Sequence, residues 1–392
     1  MKVGGFTIPG WLEGHLNQKL RGKVLWEHFE LDTCATMGVS GGQTSMLMWL
    51  LVLARREMLR SDPRFCDYSF LPSFANTGKE HEGTLRFLEE SSQLAGHPIV
   101  WVEYRRSAHS WLIEPKHATY EIVDFRTANR TGQPWIDFLE TLKLYREKVK
   151  GLGPISPKSQ MRLCTAQMKI KTRTKLAKDR LGDSYDSFVG MRVDEPSRVR
   201  GLRSADTQLI THRTPLADAL IDKEMVLRFF RDQPVRLQIP DWLGNCTQCF
   251  LKDIPDIATA MMESEEDTDF WLDLEDEYGT MRPGRWTYRA IHDTLPIRRK
   301  IRDALERGIE PDLSTLPEPP SDKQWIDAVS GEYWDDTEDT EAHAESSKRR
   351  TPAHTNVLIY RQEKKRLKSG PQAVSCGCAA AIVAGEREDI EV

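Results

Sequence analysis

The chain has 392 residues, 39% hydrophobic and 29% charged, enough for one large or two medium globular domains. Its net charge of −5 excludes a surface coated in basic residues for nucleic acid, though not a local basic groove. No run approaches the about 18 apolar residues of a membrane span, and the opening MKVGGFTIPGWLEGH lacks the apolar core of a signal peptide, so a cytoplasmic protein without membrane partners is expected.

Residues 1–30 carry Trp11, Leu12, Leu16 and Trp26 and are expected as a helical lead-in. Residues 31–104 then alternate strand and helix: strands over Thr33–Val39, Tyr68–Ala75 and Ile99–Tyr104, helices over Met46–Met58 and Thr84–Leu94. That rhythm predicts a parallel sheet with covering helices. Residues 105–160 interrupt it with Pro115, Gly132, Pro134, Gly151, Pro154 and Pro157, and are expected as an insertion with one helix near Trp135–Lys150. Sheet rhythm returns with a helix around Ala166–Arg180, a strand at Ser187–Met191 and a helix at Asp222–Arg231, closing a domain over 31–255. Residues 256–315 read as a helical extension. Residues 316–392 read as a linker, Leu316–Ser321, an acidic run, Glu332–Glu345, a basic run, Lys348–Lys368, and a cysteine-containing tail. Charge blocks of opposite sign are ordinarily solvated or disordered. The predicted fold is a doubly wound α/β sheet with a mostly helical C-terminal extension.

The most informative stretch joins the first strand to its helix: Ser40-Gly41-Gly42-Gln43-Thr44-Ser45. Two glycines let backbone amides approach an anion, three hydroxyls add donors, and the following helix directs its N-terminal dipole at the same point. The loop lacks the Gly-Lys-Ser/Thr ending of the Walker motif and the Gly-x-Gly-x-x-Gly of dinucleotide folds. The plainer alternative is a Gly-Gly turn. A second strand ends in Asn76-Thr77-Gly78-Lys79-Glu80-His81-Glu82, where the acidic residues suit a helix N-terminus better than a metal site.

Together these segments resemble the adenine-nucleotide alpha-hydrolase superfamily, whose pyrophosphate loop is Ser-Gly-Gly-x-Asp/Thr-Ser. Within it they look most like the phosphoadenylyl-sulfate (PAPS) reductase family, over roughly residues 30–255. The resemblance implies that Ser40, Gly41, Gly42, Gln43, Thr44 and Ser45 bind phosphates and that Asn76, Thr77 and Gly78 lie beside the nucleotide. It also implies that Gly190, Arg192 and Glu195, which match a Gly-x-Arg-x-x-Glu segment, lie near substrate. A solvated charged turn is the alternative for that last segment. Arg162 and Lys169, just around Cys164, correspond to basic residues that hold a phosphosulfate. Lys171, Lys175 and Lys178 share a helix face and read either as an extension of that site or as a solvent-facing side.

Seven cysteines, an odd number, argue against a disulfide framework. Cys246 and Cys249 stand two residues apart in a turn, a spacing that suits shared metal ligation. The resemblance places them, with Cys164, in the pattern of an iron–sulfur reductase, but this chain has one cysteine where that pattern has an adjacent pair. Three cysteines can hold a 4Fe–4S cluster with one iron open, as in cluster-bearing thiolation enzymes of the superfamily. Alternatively Cys376 or Cys378 supplies the fourth ligand, with zinc as the other candidate metal. Cys376-Gly377 also resembles the mobile reductase tail whose thiolate attacks sulfur, which would make Cys376 catalytic. Cys34 and Cys66 are expected to pack as small hydrophobes.

The leading expectation is thus PAPS reductase-like chemistry with an adenine nucleotide, a 4Fe–4S cluster and a thiol electron donor. The alternative is ATP-dependent thiolation of a nucleic-acid base or backbone, with magnesium and a sulfur donor. A nucleotide-binding partner protein without turnover is the third, and a homo-oligomer is compatible with each.

Overall fold

A computed structural model describes residues 2–19, 34–59, 69–106, 119–151, 163–240, 242–279, 286–316 and 352–369. They form two compact units that divide after Ile239.

The first unit opens with a two-stranded antiparallel hairpin, β1 (Lys2–Val3) and β2 (Phe6–Thr7), and helix α1 (Gly10–Lys19). Its centre is a six-stranded sheet of β3 (Ala35–Gly38), β4 (Phe70–Asn76), β5 (Val100–Arg105), β6 (Thr119–Val123), β7 (Tyr185–Val189) and β8 (Ile210–Arg213). The strand order is β6-β5-β4-β3-β7-β8, with every pairing parallel except β5–β6. Between the strands run α2 (Gln43–Leu59), α3 (Glu82–Ala95), α4 (Gln133–Tyr145), α5 (Thr172–Leu181), α6 (Pro196–Arg203), α7 (Pro215–Asp218) and α8 (Lys223–Arg231).

Strand alternation sorts the core to two faces. Met37, Phe74, Trp101 and Phe188 pack with Trp49 of α2, Phe87 of α3 and Phe230 of α8. Ala75 and Val102, one residue on, pack with Leu176 of α5 on the opposite face. Helices therefore cover both faces, and the sheet is doubly wound. The register sets Gly38 opposite Ser73 on one side and Val189 on the other, so the carboxyl ends of β3, β4 and β7 come level.

Two strands escape the sequence reading. Thr119–Val123, inside the expected insertion, joins the sheet as an antiparallel edge, its Thr-Tyr-Glu-Ile-Val composition suiting a pleated surface. Ile210–Arg213 is too short to produce a periodic signal. Two expected helices are partly π-helical: Arg146–Lys150 continues α4, and Cys164–Lys171 leads into α5.

The second unit is helical: α9 (Ile254–Glu263), α10 (Glu265–Tyr278), α11 (Tyr288–Asp293), α12 (Leu295–Glu306) and α13 (Pro352–Ser369). It begins sixteen residues earlier than the expected boundary at 255 and takes the Cys-x-x-Cys turn with it. The reason is Gln248. Its side chain is buried and donates to Thr268 Oγ1 at 2.9 Å and Ser264 O at 3.2 Å, and its carbonyl accepts from the Tyr288 hydroxyl. The basic run expected as a solvated tail is corrected as well, since its residues 352–368 belong to α13. There Ile359 packs with Ile297 and Ile301 of α12, and Glu363 is held between Arg298 (2.6 Å) and Arg302 (2.5 Å).

Candidate nucleotide-phosphate site

The loop after β3 is closed from inside by Ser45. Its hydroxyl donates to Gly42 O at 3.0 Å and accepts from Ser40 N at 3.0 Å, with the Ser40 hydroxyl at 3.1 Å. Ser45 is buried and shapes the loop, whereas Ser40 is exposed and Gly42, Gln43 and Thr44 are half-buried at its rim. Gly41 has φ +79°, and a Cβ there would stand 2.4 Å from Thr84 Cγ2 of α3. Both the left-handed backbone and the close approach require glycine. No acidic residue sits in the first turn of α2, so its positive dipole end is uncompensated there.

The second segment is rigid. Asn76 Nδ2 donates to Glu103 Oε1 at 2.6 Å and Asn129 O at 2.8 Å, while its Oδ1 accepts from Gly78 N at 3.1 Å. Glu80 accepts from the amide and hydroxyl of Thr77 at 2.8 and 2.9 Å and pairs with Lys169 at 3.0 Å. Lys169 is thus set against this turn, its charge matched by a buried carboxylate. His81 caps α3 by accepting from Gly83 N, in line with the helix-start reading.

The third segment touches the loop. A Cβ on Gly190 would come within 2.7 Å of Ser45 Cα, so glycine here permits the end of β7 to lie against the loop backbone. Arg192, 6% exposed, donates from Nη1 to Thr44 Oγ1 at 3.2 Å and engages Asp194 through Nε and Nη2 at 2.9 and 3.1 Å. Glu195 accepts from Arg192 N at 3.1 Å and pairs with Arg198. Ser40–Ser45 and Gly190–Glu195 are therefore brought together, with Asn76–Glu80 on the adjoining strand of the same edge. The carboxyl edge of a parallel sheet is where such folds bind ligands.

Other expected residues are placed differently. Arg162, Cys66, Cys376 and Cys378 lie outside the described residues. Lys175 and Lys178 are exposed and pair with Asp179 and Asp183, which makes theirs a solvent-facing side. Cys164 opens the π-helical segment of the first unit, while Cys246 and Cys249 flank the pinned Gln248 turn of the second. Among the described residues, no group of three or more His, Cys, Asp and Glu is arranged to hold a metal ion. They do not by themselves fit a 4Fe–4S or zinc site, and no step is derived through one.

Sequence reasoning missed Glu103 and Asn129, the buried scaffold behind Asn76. It also counted Arg173 only as one more basic residue of a helix, although that side chain turns inward to donate to Ser73 at 2.9 Å. Only the Asn-Arg-Thr-Gly turn signal at 129–132 hinted at the first, and nothing at the second.

No family model matches the chain. It is 30% identical over 229 residues to the uncharacterized nin region protein ORF290 of Escherichia phage lambda, a match covering 58% of this chain and 69% of that relative. The chain belongs to the family of that phage protein. It is also similar to a solved structure, the U34-tRNA thiolase NcsA from Methanococcus maripaludis with its [4Fe-4S] cluster. There the identity is 13%, the TM-score 0.33, and the coverage 78% of this chain and 86% of that one. A likeness of that size carries no argument about chemistry. Among the described residues no helix is long and apolar enough to cross a membrane.

Proposed function

We propose that this chain binds the phosphates of ATP at Ser40–Ser45 and uses the nucleotide to activate an acceptor for sulfur transfer. The observation that carries the binding step is the contact of two strand ends on one loop: Gly190 lies against Ser45, and Arg192 donates to Thr44. In this reading an acceptor oxygen attacks the α-phosphorus, pyrophosphate leaves toward the loop, and a sulfur nucleophile then displaces AMP. Arg192 and the amides at the start of α2 stabilise the charge on the departing pyrophosphate. A nucleic-acid base or backbone is the proposed acceptor class, with a thiol or persulfide as donor.

PAPS reduction is the second reading, and it would need a sulfur-attacking thiol such as Cys376. Transfer is favoured over it by the surroundings of Cys164. Reductases of the cluster type have an adjacent cysteine pair, but here both neighbours, Leu163 and Thr165, are core residues only 2% and 1% exposed.

Calorimetric titration with magnesium–ATP and, separately, with PAPS tests the proposal, alongside iron, sulfide and zinc analysis of anaerobically prepared protein. ATP binding, with pyrophosphate released in the presence of an acceptor, is the expected result. Tight binding of PAPS alone would move the assignment to the reductase reading. Failure to bind either nucleotide overturns both.

A further inference from the structure

On the face of the sheet covered by α5, a cavity of about 40 Å³ lies among β3, β7, β8 and the helix. At about 10–15 Å³ per water, it has room for roughly three water molecules. Arg173 lines it together with Thr36, Thr174, Tyr185, Ser187 and His212, and no acidic residue is in its wall. The guanidinium donates from Nε to Ser73 Oγ at 2.9 Å. Its terminal nitrogens lie under the last residue of β3, since a Cβ on Gly38 would meet them at 2.8 and 2.9 Å. Neither of them donates to an acceptor among the described residues. His212, the other titratable ring in the wall, has Nδ1 3.0 Å from Asp206 Oδ1, so the one nearby carboxylate is already engaged.

An unpaired guanidinium held away from water costs several kcal/mol unless a counter-charge or full hydration meets it. Burial lowers its pKa to about 10, which leaves it charged at neutral pH. The planar fork suits two oxygens of one anion better than a halide. Hydroxyls of Thr174, Tyr185 and Ser187 surround it with further donors.

We propose that this cavity is a binding site for a small inorganic oxyanion of the sulfate or phosphate class, held by Arg173 and separate from the phosphate loop. The inference does not depend on the proposed activity, because it rests on the α5 face of the sheet and not on Ser40–Ser45.

Isothermal titration of the full chain with sodium sulfate tests it, in sodium gluconate at fixed ionic strength, gluconate being too large for the cavity. One saturable site is expected. Arg173→Met should weaken it by about tenfold or more, the loss of charge-assisted hydrogen bonds. Ser187→Val, a near-isosteric loss of one hydroxyl, should weaken it to a smaller degree and stands in should Arg173→Met fail to fold. Saturating ATP, and the variant Arg192→Gln, should leave the sulfate isotherm in place. The proposal is overturned by the absence of a saturable site, by sulfate affinity indifferent to both cavity variants, or by displacement of sulfate by ATP. That last result would assign the anion to the loop.

Discussion

Nη1 of Arg192 donates to Oγ1 of Thr44 at 3.2 Å, joining residues 148 positions apart across the carboxyl ends of two adjacent parallel strands. The same guanidinium is held by Asp194, so its charge is positioned before any ligand arrives. Preorganised charge of this kind contributes to anion binding without further ordering of the side chain.

Arg192→Gln should therefore lower nucleotide affinity by about tenfold or more, the range of a charge-assisted hydrogen bond. Part of that loss comes from Asp194 and Glu195, which would be left facing the phosphates without their counter-charge. Adding Asp194→Asn to Arg192→Gln should recover part of the affinity. Calorimetry on the single and double variants checks both effects, and wild-type affinity in Arg192→Gln would uncouple the strand end from the loop.

Gly190 offers a test of shape rather than charge. Its φ is not left-handed, so alanine adds no backbone strain, but the new Cβ would stand 2.7 Å from Ser45 Cα and 3.1 Å from Ser45 N. Backbone must yield, at a cost of about 1–3 kcal/mol for overpacking. Gly190→Ala should lower the melting temperature and nucleotide affinity together. Gly10→Ala, where a Cβ meets nothing within 4 Å, should alter neither. Unchanged nucleotide binding in Gly190→Ala would remove the close approach from the site.

What the sequence disclosed and withheld follows from the range of the signals. Strand Ala35–Gly38, the glycines at 41 and 42 and the Asn76–Gly78 turn are encoded locally, in propensity and in backbone freedom, and all were legible. The pairing of Arg192 with Thr44 was legible only as two separate motifs. Edge strand Thr119–Val123 was hidden because its neighbours carry turn residues and one of its faces is exposed. The helical state of 352–369 was hidden because its stabilising partners, Arg298 and Arg302, are more than sixty positions upstream. Charge content alone reads such a segment as solvated. Arg173 is a basic residue in a basic helix, and only the sheet above it shows that it turns inward.

The second unit makes its own prediction at Glu363, a buried carboxylate shared by Arg298 and Arg302. Burial depresses the Arg298 pKa and the nearby Glu363 charge opposes that shift. Removing the carboxylate by Glu363→Leu strands two guanidinium groups and should cost about 3–5 kcal/mol. The triple change Arg298→Met, Arg302→Met, Glu363→Leu should be distinctly less destabilising than Glu363→Leu alone, because no uncompensated charge remains. Urea unfolding followed by tryptophan fluorescence reads this directly, since Arg298 lies 5.3 Å from the ring centre of Trp286. Equal destabilisation in both variants would mean that packing, not charge, holds α13 in place.

Asp256, near the start of α9, tests the electrostatics with a defined sign. Burial raises its pKa above the ordinary aspartate value, and Arg366, 3.4 Å away, offsets that only in part. The folded state thus holds this proton more tightly than the unfolded chain does. Its contribution to stability is most favourable below the unfolded pKa and declines as pH rises through the folded one. Asp256→Asn keeps an acceptor for Arg366 but cannot titrate. The melting temperature of the wild-type chain minus that of Asp256→Asn should therefore fall between about pH 4 and pH 7. Other carboxylates titrate in both proteins and cancel in the difference. A difference that rises with pH would show that Arg366 outweighs burial and that the pair stabilises the folded unit as an ion pair.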